Sequence, residues 1–132
     1  MDKPHKKLDL WQAAINGTVM IYKLTTKFPE DEKFGLVSQM RRAAVSIPCN
    51  IAEGAARQGK REFRNFLSMA QGSLSELDTQ LDLAILLDYC GEEEARETDG
   101  LLLRIDKMLT GLIRSLDRKN RNIKSKTSGT GN

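Results

Sequence analysis

One histidine, two cysteines, three prolines and seven aromatic side chains are all that 132 residues offer of those types. Each shortage excludes something. A single histidine, His5, cannot supply the two Glu-x-x-His motifs of a di-iron bundle, and it leaves the serines and cysteines without a basic partner for nucleophilic catalysis. Cys49 and Cys90 have no metal-ligand spacing and read as free, buried thiols of a reducing compartment. The longest apolar runs are a few residues long, so no segment is expected to cross a bilayer. The first residues, "MDKPHKKLDLW", lack the apolar core of an export signal, and a cytoplasmic location is expected. The "GAARQG" stretch lacks the strand–loop–helix setting and the lysine of a phosphate-cradling loop. The acids of "GEEEARETDG" read as a solvated turn and not a metal site. Neither a cofactor nor an enzymatic activity is expected.

What remains is rich in helical periodicity and poor in strand alternation. Leu8, Trp11, Ile15, Thr18 and Tyr22, with Val19 beside them, form a first stripe, which Pro29 ends. Leu36, Met40, Ala43, Ala44, Ile47, Ile51 and Ala55 form a second, closing near Gly59. The third runs from Phe63 and Phe66 through Leu67, Ala70, Leu74, Leu77 and Leu81 to Ala84 and Ile85, with Gly91 punctuating its end. Leu102, Ile105, Leu109, Leu112 and Leu116 make the fourth. Four stripes with short connections predict an all-α fold: one antiparallel up-down-up-down four-helix bundle over residues 1–119. The polar segment 120–132 is expected to be a disordered basic tail.

Pro48 falls inside the second stripe. Its ring carries no N–H, so the Ala44 carbonyl loses its helical partner and the helix is expected to bend near 44–48. Ala43 and Ala44 are small enough to let neighbouring backbone approach there. Asn50, Glu53 and Arg57 follow on one side, and the Glu53–Arg57 order favours an i,i+4 ion pair.

Two stretches are similar to a known family: "RRAAVSIPCNIAEG", residues 41–54, and "EFRNFLSMAQGSLSELDTQL", residues 62–81. Together with "KMLTGLIRSL", residues 107–116, they resemble the bacterial four-helix-bundle family of 23S ribosomal RNA intervening-sequence proteins over roughly residues 8–117. Cys49 stands where that family often has Ser, and Gly59 stands where a Ser or Thr helix cap is common. The resemblance implies a cytoplasmic homopentamer. It also implies kinship with the accessory proteins of diversity-generating retroelements, which pair with a reverse transcriptase and bind nucleic acid.

The net charge of +3 conceals strong segregation. Residues 65–100 hold one cation and nine anions, whereas residues 101–132 hold eight cations and two anions. In the expected topology the N-terminal arm, with Lys3, Lys6 and Lys7, the second turn and the C-terminal segment share one end. That end collects Arg57, Lys60, Arg61 and Arg64 with Arg114, Arg118, Lys119 and Arg121, and beyond them Lys124 and Lys126. The opposite end holds Glu30 to Glu32 and Glu92 to Asp99. A basic pole of this kind fits a non-enzymatic, oligomeric accessory protein that binds RNA or DNA through phosphates. Sparse aromatics argue against base stacking. The alternative is an oligomeric protein-interaction scaffold, binding a reverse transcriptase or a ribosomal component without touching nucleic acid. Leu83, Leu86, Leu87, Leu101 and Leu103 exceed what one bundle seam needs, which suits a closed homo-oligomer. Arg41, with Asp78 and Asp82, is expected to form an arginine–carboxylate contact at a helix or subunit seam.

Overall fold

The computed structural model describes the backbone of residues 1–130 and the side chains of residues 1–122. Four helices account for most of it: α1 (Asp9–Thr25), α2 (Leu36–Ala56), α3 (Lys60–Leu86) and α4 (Glu92–Thr130). Short 3-10 turns precede α1 at Pro4–Lys7 and α2 at Glu30–Glu32. No strand occurs among the described residues. The fold is all-α, and no helix among the described residues is long and apolar enough to cross a membrane. The backbone of the segment expected to be a disordered tail, 120–132, continues α4 as far as Thr130; residues 131–132 and the Lys124 and Lys126 side chains lie outside the described residues.

Each helix buries one stripe. Met40, Ile47 and Ile51 of α2 meet Leu67, Leu77 and Leu81 of α3, Ile105 and Leu109 of α4, and Ile21 of α1 in one continuous core. Helix α1 packs on α2 and α4, and α3 packs on the same two helices from the other side. Apolar burial of this extent is what holds helices that would be marginal alone.

The core face of α1 is rotated from the expected one. Leu10, Ala13, Ala14, Gly17, Ile21 and Leu24 are buried, while Val19 and Tyr22 are exposed. The small residues decide the phase, because they let α1 approach its neighbours: a Cβ on Gly17 would stand 3.0 Å from Ile105 Cδ1. The expected stripe weighted bulk over closeness of approach.

Three helix ends also differ from expectation. Helix α3 stops at Leu86 in a Schellman motif, where Tyr89 N–H donates to Ala84 O at 2.9 Å and Asp88 N–H to Ile85 O at 3.0 Å. Asp88, at φ 58°, takes the left-handed position, not Gly91. Gly59 does not close α2; it is the extended N-cap of α3 and offers no side-chain cap. The acids Glu92 to Glu94 are not a turn; they form the first turn of α4. There they complement the helix dipole.

Pro48 is buried within a continuous α2. The carbonyl it orphans, Ala44 O, accepts from the Thr18 hydroxyl at 3.0 Å, and that hydroxyl also lies 2.8 Å from Ala14 O. One proton on α1 thus serves both its own helix and the gap that proline leaves in α2.

Arg41 finds no carboxylate partner among the described residues. Its Nε donates to Thr25 Oγ1 at 3.0 Å, and its guanidinium lies 4.6 Å over the Tyr22 ring. It fastens α2 to the end of α1. His5 is half-buried against Trp11, with ring centroids 5.0 Å apart. Of the two thiols, both free, Cys90 is half-buried but Cys49 is exposed.

Candidate functional site

Helix α3 begins with "KREFRN", and this order sets the site. Phe63 and Phe66 turn toward α2, where Gly54 leaves room for them. A Cβ at Gly54 would stand 2.8 Å from both Phe63 Cδ1 and Phe66 Cβ. With the phenylalanines seated there, Arg61 and Arg64 are presented toward α4.

Helix α4 supplies the opposite wall. Arg114, Arg118 and Arg121 are four and three residues apart, so they share one face. These five arginines line an open groove of about 800 Å³ with Asn65, Asn120 and Asp117. Asp117 is the single carboxylate among its described lining residues. Its Oδ1 accepts from Arg64 Nε at 2.9 Å, and both side chains remain partly exposed, at 40% and 36%.

Five of the eight expected site residues therefore come together: Arg61, Arg64, Arg114, Arg118 and Arg121. Three do not line the groove. Arg57 caps α2, donates from Nη2 to Glu53 Oε1 at 2.6 Å and lies 5.1 Å over the Phe66 ring. Lys60 opens α3 and Lys119 lies on α4, both exposed. The sequence reading missed Asn65, Asn120 and the pairing of Asp117. Arg64 and Asp117 stand 53 residues apart on different helices, so no local spacing announces their contact.

The local electrostatics are unusual. Lys60 and Arg61 occupy the first positions of α3, where the helix dipole disfavours cations, and no side chain caps that end. Apart from Arg64, the groove arginines have no ion pair among the described residues. A concentration of unpaired, planar guanidinium groups suits phosphate oxygens, which they bind in bidentate fashion.

A second recess lies farther along the α3–α4 seam, lined by Asp78, Asp99 and Asp106. Burial, and then the carboxylates of Asp82, Asp99 and Asp106, raise the Asp78 pKa above its ordinary 3.8. No group of metal-ligating side chains suited to an ion occurs among the described residues.

The family model described as 23S rRNA-intervening sequence protein matches residues 6–111. The chain belongs to that family. One solved structure similar to it is a crystal structure from Bacteroides thetaiotaomicron VPI-5482, described as a protein of unknown function from the S23 ribosomal protein family. It is 26% identical, covers 79% of this chain and 97% of its own, and superposes with a TM-score of 0.71. None of the curated proteins compared matches the chain. Membership in the intervening-sequence protein family fits the four helices described above, and the match takes in Arg61 and Arg64 but stops short of Arg114.

Proposed function

We propose that this protein is a non-enzymatic, cytoplasmic accessory protein that binds RNA or DNA through phosphates at the arginine groove. The observation that carries the reading is the gathering of Arg61, Arg64, Arg114, Arg118 and Arg121 from two helices around one recess. Arg114, Arg118 and Arg121 lie in the body of α4, well before its end at Thr130, so its dipole does not account for them. Cations at the start of α3 oppose the dipole, so helix stability does not account for them. A bound polyanion does.

The bundle itself we read as antiparallel, up-down-up-down, with α2 bent at Pro48. Contacts of Lys27 with Glu94, Ser46 with Ser73, Gln71 with Thr110 and Arg64 with Asp117 support that order. We further propose that the bundles associate as a closed ring, five-membered as the family resemblance implies, which multiplies the basic groove. Leu86 at 80% exposure and Phe34 at 90%, with Leu83, Leu87 and Leu103 also exposed, support association. Those same apolar residues favour a second reading, a scaffold that binds a protein such as a reverse transcriptase without contacting nucleic acid.

A salt-titrated binding assay separates the two. Structured RNA and DNA should bind with log K falling linearly in log salt, and a polyacrylate of matched charge should bind less well. Binding of neither nucleic acid above that control overturns the first reading in favour of the scaffold. Sedimentation equilibrium giving a monomer at micromolar concentration overturns the ring.

A further inference from the structure

The shape of the groove narrows the class of ligand, on the assumption that nucleic acid binds there at all. Its walls are two separate ladders. Arg61 and Arg64 lie three residues apart on α3, and Arg114, Arg118 and Arg121 follow one face of α4. Side chains at these spacings have Cβ atoms about 5–6 Å apart, stacked along the helix. The two helices are packed neighbours, tied by Arg64 to Asp117 and by Gln71 to Thr110. Packed helix axes lie about 8–10 Å apart. A recess between such helices is about one strand wide. A duplex, whose major groove alone is about 12 Å across, rests on its rims. A flexible single strand enters and meets guanidinium groups on both sides. No aromatic side chain lines the recess among the described residues, so bases have no stacking platform there and the contact is with the backbone.

Asp117 fits this picture. It neutralises one arginine of the recess through an ion pair that is partly exposed, and such pairs contribute little and exchange readily. A phosphate oxygen arriving at Arg64 takes the place that the carboxylate holds.

We propose that the groove between α3 and α4 seats one single strand of RNA or DNA lengthwise between its two arginine ladders, and that a phosphate of that strand displaces Asp117 from Arg64.

The test uses the full chain, an unstructured oligonucleotide in RNA and DNA form, and the same oligonucleotide annealed to its complement, by fluorescence anisotropy at several salt concentrations. The single strand should bind measurably tighter than the duplex, although the duplex has the higher charge density. Arg61→Ala and Arg118→Ala, one from each wall, should each flatten the single-strand log–log slope by about 0.7. Asp117→Asn keeps an acceptor for Arg64 but removes the competing charge. It should raise single-strand affinity by roughly three- to ten-fold and steepen the slope by about 0.7. Circular dichroism confirms that each variant is folded. Duplex binding as tight as single-strand binding, with the same dependence on both arginines, overturns the single-strand seat and leaves the nucleic-acid reading standing. An Asp117→Asn variant unchanged in affinity and slope overturns the exchange at Arg64. Binding of neither oligonucleotide form overturns the nucleic-acid reading itself.

Discussion

Two helix N-termini in this molecule follow opposite rules. Helix α4 opens with Glu92, Glu93 and Glu94, acids placed where the positive end of the helix dipole welcomes them. Glu94 also meets Lys27, and nearby Glu32 accepts from both the Leu36 amide and the Tyr89 hydroxyl. Charge at that end is spent on holding helices together. Helix α3 opens with Lys60 and Arg61 ahead of Glu62, so two cations precede the one acid of a first turn that no side chain caps. The proposed phosphate site would account for this local departure from the dipole rule, in a chain otherwise consistent with its fold.

The contrast is broken most forcefully by reversing charge at each end in turn. Arg61→Glu, Arg114→Glu and Arg118→Glu together should lower nucleic-acid affinity by about 100-fold or more at physiological salt, and flatten the salt slope by about two units. Glu92→Lys, Glu93→Lys and Glu94→Lys together should leave affinity nearly unchanged and lower stability by about 1 kcal/mol. Affinity against salt, together with thermal melts of both variants, checks the pair. If the two variants lose affinity equally, the ends do not differ in role.

A subtler break acts beneath the basic end. Gly54→Ala places a Cβ 2.8 Å from Phe63 Cδ1 and from Phe66 Cβ, and the second atom is too near the backbone to swing away. The first turns of α3 must then shift, carrying Arg61 and Arg64 with them. We expect a loss of about 1–3 kcal/mol in urea unfolding and a weaker nucleic-acid complex. A variant as stable as the parent would show that α3 is not seated by this contact.

The helices were legible in the sequence because their apolar residues recur at helical spacing. Leu67, Leu77, Leu81, Ile105 and Leu109 are buried as expected. The phase of α1 was not legible, because Ala13, Ala14 and Gly17 bury little area and pack by closeness of approach. The Ala44 carbonyl orphaned by Pro48 was foreseeable from chemistry, but its donor, Thr18, lies 26 residues away and only the packing names it. The groove follows the same logic. The type and number of its cations could be read from composition. Arg57 looked equal to Arg61 along the chain, yet it is held elsewhere by Glu53, a pair legible from i,i+4 spacing, and by the Phe66 ring, which was not. Contacts between helices, such as Arg57 on Phe66 and Arg64 on Asp117, complete the selection, and helical periodicity carries no information about them.

Single substitutions sharpen the comparison at lower amplitude. Arg61→Glu should move stability and binding in opposite directions: stability up by about 0.3–1 kcal/mol as the dipole conflict is relieved, and affinity down. Glu93→Arg should lower stability by a similar amount and leave affinity unchanged. Thermal melts at low ionic strength resolve the sign, since salt screens the effect. A less stable Arg61→Glu variant would mean that Arg61 has a stabilising contact outweighing the dipole.

The smallest expected effect separates two carboxylates along the α3–α4 seam. Asp117 has an arginine partner, whereas Asp78 faces Asp99 and Asp106 and has no cation partner among the described residues. Burial and those neighbours raise the Asp78 pKa above 3.8, so the folded chain holds that proton more tightly than the unfolded chain does. Stability contributed by the protonated form is present at acid pH and is lost as pH rises through the raised pKa. Asp78→Asn removes the penalty. Because the site is largely exposed, the gain at neutral pH should be only a few tenths of a kcal/mol, roughly 1–2 °C in melting temperature. The advantage should shrink as pH falls toward about 4 and vanish below it, where Asp78 is protonated in both states. Asp117→Asn should instead lose the partly exposed Arg64 ion pair and melt slightly lower at neutral pH. Melting temperature measured from pH 3 to pH 7 for Asp78→Asn, and at pH 7 for Asp117→Asn, decides the matter. An Asp78→Asn gain that does not depend on pH would assign the effect to packing and not to repulsion among the carboxylates.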